Sequence, residues 1–113
     1  MTLPIRQLDA DVAVAPQLTP DAMAEAAAAG FRSVINNRPD FEGGADQPTN
    51  ASIEASARAA GLEYVWLPVA SAFQSEAEIA RFAELVDTLP KPILAFCRSG
   101  ARSGRLWQAS RQR

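Results

Sequence analysis

The chain has 113 residues, 48% of them apolar and 21% charged. That profile suits one compact domain with a single core and excludes a disordered chain. Lysine and arginine number 11 against 13 acidic residues, a net charge of −2 that argues against a nucleic-acid partner. Histidine is absent and Cys97 is the lone cysteine. Those two facts exclude Ser-His-Asp and Cys-His catalysis and an internal disulfide, so no metal and no cofactor are expected. The N-terminus lacks a basic-then-apolar leader, and no run reaches membrane-spanning length, so a cytoplasmic protein without membrane contact is expected.

In chain order, residues 5–8 and 12–15 are short alternating runs that predict a hairpin or two edge strands. Thr19-Pro20-Asp21 opens a helix: Thr19 can cap, Pro20 suits the first position, and Gly30 closes it. Residues 31–35 form a buried strand running into Asn36-Asn37-Arg38-Pro39-Asp40. An irregular loop from Phe41 to Asn50 follows. A second helix spans about residues 50–60, with Ile53, Ala57 and Ala60 on one face and Gly61 as its stop.

Residues 62–67 are the next strand, and residues 69–74 the loop after it. Ser75 and Glu78 make a capping box for a third, amphipathic helix carrying Ile79, Phe82, Ala83, Val86 and Leu89. Residues 93–96 are apolar throughout, as a central strand buried on both faces would be. A last short helix is expected from Gly104 to Gln112, with Leu106 and Trp107 as core contacts. Strands alternating with helices predict a three-layer α/β domain over residues 1–113, with a mostly parallel sheet of four to five strands. Its ligands would bind beyond the carboxyl ends of the strands.

The chemistry concentrates where the last strand ends, at Cys97-Arg-Ser-Gly-Ala-Arg102-Ser103. A glycine-containing loop feeding a helix start aims backbone N–H groups at an anion. A thiol there ionises easily and is the nucleophile. Arg102 offers a fork to an oxyanion, Gly100 permits a positive φ, and Ser103 can donate to the sulfur. Arg98, Ser99 and Ala101 complete the cradle. After Asp87 the chain has no acidic residue but holds Lys91, Arg98, Arg102, Arg105, Arg111 and Arg113, which reads either as a basic helix end suited to the helix dipole or as a positive field around Cys97. Trp66 and Trp107 are read as core or rim packing.

Four segments carry a family resemblance: Gln17-Leu-Thr-Pro20, Gly30 to Asp40, Gly61-Leu-Glu-Tyr-Val65, and Pro92 to Ser103 with Leu106-Trp107. Through them the chain resembles the phosphatase-like domain of beta-lactamase hydrolase-like proteins, whose members are also labelled sulfur transferases. The resemblance implies a cysteine-phosphatase-like fold, Cys97 as nucleophile, and the Asn37–Asp40 loop, with Arg38 and Asp40, beside the site.

The chain departs from related tyrosine phosphatases. Phe96 replaces their histidine, and Arg102 lies five positions after the cysteine rather than six. The loop Val69–Ser75 lacks their acidic residue, leaving Asp40 as the nearest substitute. These departures favour a sulfurtransferase that forms a persulfide on Cys97, taking a small anionic sulfane-sulfur donor and a thiol acceptor. The alternative is a phosphatase acting through a phosphocysteine, with Asp40 or water as the acid. A non-enzymatic anion-binding module is the third reading.

Overall fold

The computed structural model describes residues 3–112. Met1, Thr2 and the final residue of the basic tail, Arg113, lie outside the described residues. Strands β1 (Arg6–Gln7), β2 (Val12–Ala15), β3 (Ser33–Asn36), β4 (Glu63–Trp66) and β5 (Ile93–Phe96) alternate with helices. The helices are α1 (Ala22–Ala28), α2 (Asn50–Ala59), α3 (Glu76–Thr88) and α4 (Ala101–Arg111). The sheet order is β1-β2-β5-β3-β4, with β5 at the centre. β2, β5, β3 and β4 run parallel, and β1 alone is antiparallel, against β2.

The apolar patterns explain the layers. Every residue of β2 and β5 is buried, because each strand has neighbours on both edges and helices on both faces. Alternate side chains divide between two cores. Ala13, Ala15, Val34, Leu94 and Phe96 meet Met23, Ala26, Ile53 and Ala57 of α1 and α2. Val14, Ile35, Ile93 and Ala95 meet Phe82 and Leu85 of α3 and Leu106 of α4.

The hairpin forms as expected, but β2 is an interior strand rather than an edge. The Asp9 carboxylate accepts the N–H groups of Asp11 and Val12, both at 2.8 Å, and turns the chain there. The Ser75–Glu78 capping box is present on α3. On α1, Asp21 occupies the cap position and no side-chain bond is made; Thr19 contributes only its carbonyl, to the Ala22 N–H. α4 begins at Ala101, three residues before the expected Gly104. The left-handed Gly100 lets the chain enter the helix at once, which puts Arg102 and Ser103 in its first turn.

Candidate active site

Three segments leave the carboxyl ends of β3, β4 and β5 and converge on Cys97. Cys97 lies directly after β5 and is 1% exposed. The chain then turns through Gly100 at φ +92 into α4, whose N-terminus faces the sulfur. The Gly100 N–H donates to Sγ at 3.1 Å. A Cβ at Gly100 would lie 3.3 Å from the Ala15 carbonyl oxygen, so side-chain strain adds to backbone strain. Gly100→Ala is expected to cost about 1–3 kcal/mol and to slow alkylation of Cys97, read from the unfolding midpoint and the iodoacetamide rate.

Burial pushes the Cys97 thiol up, but hydrogen bonds outweigh it and the net position is below an ordinary thiol. The donors are the Ser103 N–H and hydroxyl, then the N–H groups of Ser99 and Gly100. The Ser103 hydroxyl has one hydrogen and two claimants. With the sulfur protonated it donates to Asn37 Oδ1, at 2.8 Å. Asn37 Nδ2 donates to the Leu67 carbonyl at 3.0 Å, which fixes the amide with its oxygen toward Ser103. Once the thiolate forms, the charge-assisted bond to sulfur is the stronger one and the hydroxyl turns to it.

Arg102 is 4% exposed and tied down on one side. Its Nη1 donates to the carbonyls of Val69, at 2.9 Å, and Asn37, at 3.4 Å. Its Nη2 donates to Glu42 Oε1 at 2.9 Å, and its buried Nε has no partner. Glu42 Oε1 also accepts from Arg38 Nε at 2.9 Å, and Arg38 Nη1 donates to Gln17 Oε1 at 3.0 Å. Burial pushes the Glu42 carboxyl up, but Arg102 and Arg38 together hold it below the usual range, so it is a carboxylate near neutral pH. Phe41, just before it, has φ +63, a conformation that costs a residue with a side chain on the order of 1 kcal/mol.

These groups open onto a cavity of about 600 Å³. Of the residues expected from sequence, Cys97, Arg98, Ser99, Ala101, Arg102 and Arg38 line it. Gly100 and Ser103 stand behind, against the sulfur. Asp40 does not line it: its Oδ1 accepts the Asn50 N–H at 2.7 Å and helps cap α2. The residue expected as the acid thus has its carboxylate at a helix end rather than among the side chains that line the cavity. Arg38 pairs with Glu42, not Asp40.

Sequence reasoning missed Glu42 and Ser71, and gave Asn37 and Arg105 a place near the site but no role of their own. Glu42, Ser71 and Arg105 line the cavity, and Arg105 Nη2 donates to the Ser71 carbonyl at 3.1 Å. Of the basic tail, Arg98, Arg102 and Arg105 reach the site, whereas Lys91 bonds carbonyls at the end of α3 and Arg111 lies over the Trp107 ring. Trp66 is 39% exposed at the rim, its indole donating to the Arg38 carbonyl at 2.9 Å. Among the described residues no cluster of acidic or cysteine side chains could hold a metal ion, and no helix is long and apolar enough to cross a membrane.

The model of one protein family, described as the beta-lactamase hydrolase-like protein, phosphatase-like domain, matches residues 4–113. The chain is 37% identical over 99 residues to a beta-lactamase hydrolase-like protein of Xylella fastidiosa, covering 88% of this chain and 23% of that one. It therefore spans about a quarter of the length of that relative.

The fold is similar to that of a candidate phosphatase from Neisseria meningitidis, with a TM-score of 0.86 and 32% identity, over 94% of this chain and 75% of the other. The core catalytic domain of a yeast PP-IP phosphatase shares the fold at a TM-score of 0.73 and 13% identity, over 96% of this chain and 65% of the other. The sheet has the cysteine-phosphatase-like arrangement. With a family match over nearly its whole length, the chain belongs to the phosphatase-like domains of the beta-lactamase hydrolase-like proteins.

Proposed function

We propose that the domain is a cysteine-dependent phosphatase acting on small anionic phosphate compounds with good leaving groups. The observation that carries this is the ring of N–H donors around a buried sulfur, with the Arg102 Nε beside it lacking a partner. The family assignment adds weight to phosphoryl transfer over the sulfur transfer that the loop length favoured.

In this mechanism the Cys97 thiolate attacks phosphorus. The S–P bond forms while the bond to the leaving oxygen breaks, and that oxygen departs with the electron pair. Water then attacks the phosphocysteine, the S–P bond breaks, and phosphate leaves with the thiolate restored and a proton released to solvent. The loop N–H groups and Arg102 hold the phosphoryl oxygens as charge develops. No proton donor for the leaving oxygen lines the cavity among the described residues: Glu42 is its one acidic side chain there and is held ionised. Leaving groups that depart as stable anions, such as aryl oxides and the phosphate of an anhydride, are then the ones turned over.

A series of aryl phosphates of increasing leaving-group acidity tests this. The rate is expected to rise steeply with acidity, alkyl phosphates to be inert, and Cys97→Ser to lose on the order of 10⁴-fold or more. Equal rates across the series would sink the proposal. The missing proton donor also favours a second reading, persulfide transfer, which needs none. Thiosulfate with cyanide, and a glutathione persulfide with a thiol acceptor, are run alongside. Sulfur transfer dependent on Cys97 without phosphate release would move the assignment there.

A further inference from the structure

Glu42 has no step in the mechanism above, yet the chain is shaped to present it. Phe41 adopts φ +63 and leaves its ring 68% exposed, so the conformation is not there to bury the ring. Gly43 leaves room for the Arg38 guanidinium: a Cβ there would lie 2.6 Å from Arg38 Nη2. Between them, Glu42 turns inward and its Oε1 takes a hydrogen bond from each of two arginines, both at 2.9 Å.

Neither arginine depends on Glu42 alone for its position. Arg38 is also held by Gln17, and Arg102 by the Val69 and Asn37 carbonyls through Nη1. What Glu42 adds is a negative charge on Arg102 Nη2, on the same edge of the guanidinium as the unpartnered Nε. That edge is the fork an oxyanion would use.

We propose that Glu42 is an internal counter-anion, holding the Arg102 fork through Nη2 and giving it up to an arriving oxyanion while staying bound to Arg38. The inference rests on the reading of this cavity as an oxyanion site, and not on which group is transferred. Binding is then an exchange of one anion for another. The charge of Glu42 sets how tightly the cavity holds its ligand and penalises doubly charged ions more than singly charged ones. Arg38, Arg98, Arg102 and Arg105 are the cations that share the cavity with it, and Cys97 is the other group there able to carry negative charge.

Glu42→Gln keeps the acceptor oxygen and removes the charge. Calorimetric titration with sulfate is expected to show binding about tenfold tighter than in the unchanged protein, the scale of one like charge removed from a partly solvated site. The gain with nitrate, a monoanion, should be smaller. Alkylation of Cys97 in the same variant should reach half its plateau at a lower pH, because a negative neighbour of the thiolate is gone. Sulfate binding equal to or weaker than that of the unchanged protein would overturn the proposal and leave the anion site standing. If neither protein binds sulfate or inorganic phosphate, the anion-site reading falls too. NMR of the unchanged protein gives a check without any variant. Inorganic phosphate should move the Arg102 Nε–H and Glu42 Cδ resonances together, and a saturating titration that leaves Glu42 Cδ unmoved overturns the exchange.

Discussion

Arg102→Lys is expected to lower turnover of an oxyanion substrate by about two to three orders of magnitude. The native guanidinium does two jobs at once. Its Nη1 is committed to two backbone carbonyls behind the site, while Nη2 bonds Glu42 and Nε, on the same edge, has no partner. An ammonium is a compact charge without a planar fork, so it serves one set of partners or the other. The loss should fall mainly on kcat, because the fork is matched to charge developing on the phosphoryl oxygens. The pH profile of Cys97 alkylation should stay close to the original, since the donors to the sulfur come from the loop N–H groups and Ser103. Turnover within tenfold of the native rate, in a variant whose circular dichroism and unfolding midpoint are unchanged, would contradict this role.

The second large effect is expected from Asn37→Asp. Asn37 is fully buried, and its amide both donates to Leu67 and accepts from Ser103. A carboxylate cannot donate to the Leu67 carbonyl, and its charge would lie one hydroxyl away from the Cys97 sulfur. Two negative groups in one buried site disfavour each other, so Cys97 should titrate higher. In the native protein the thiol lies below its ordinary value, so its ionisation stabilises the folded state above the unfolded pKa. That contribution is lost as pH falls through the folded pKa.

Native alkylation should therefore hold its plateau below the range of a free thiol and decline only toward acid. In the variant the decline moves up in pH, and the rate at pH 7 drops by roughly one to two orders of magnitude. Loss of the buried hydrogen bond and burial of the new charge should cost about 3 kcal/mol or more in urea unfolding. An unchanged alkylation profile would show that Asn37 is uncoupled from the sulfur.

Most of the layer structure was legible in the chain. The continuous apolar run at 93–96 marked a buried strand, and the 3.6-residue pattern from Ile79 to Leu89 marked a helix on the core. The run at 12–15 was expected as an edge, because the pairing of β2 with β5 across about 80 residues has no local signal. The Cys97 loop was legible because an anion cradle needs glycine, arginine and a helix start in one short span. The beginning of α4 was misjudged because a left-handed Gly100 reads equally well as loop continuation or as the entry to a helix. Asp40 was misplaced for a related reason. An acid next to the site loop looks catalytic in sequence, while its real partner, the Asn50 N–H, is ten residues away and becomes visible only when the loop folds back onto α2.

The sequence by itself marked the candidate nucleophile, the loop around it and the run of strands and helices, since each rests on residues that are neighbours in the chain or repeat at a fixed period. Only the tertiary structure decided what surrounds the sulfur. Glu42 meets Arg102 across 60 residues and Asn37 meets Ser103 across 66. No local spacing encodes such pairs. They exist because the parallel sheet brings the ends of β3, β4 and β5 side by side, so that loops far apart in sequence share one cavity.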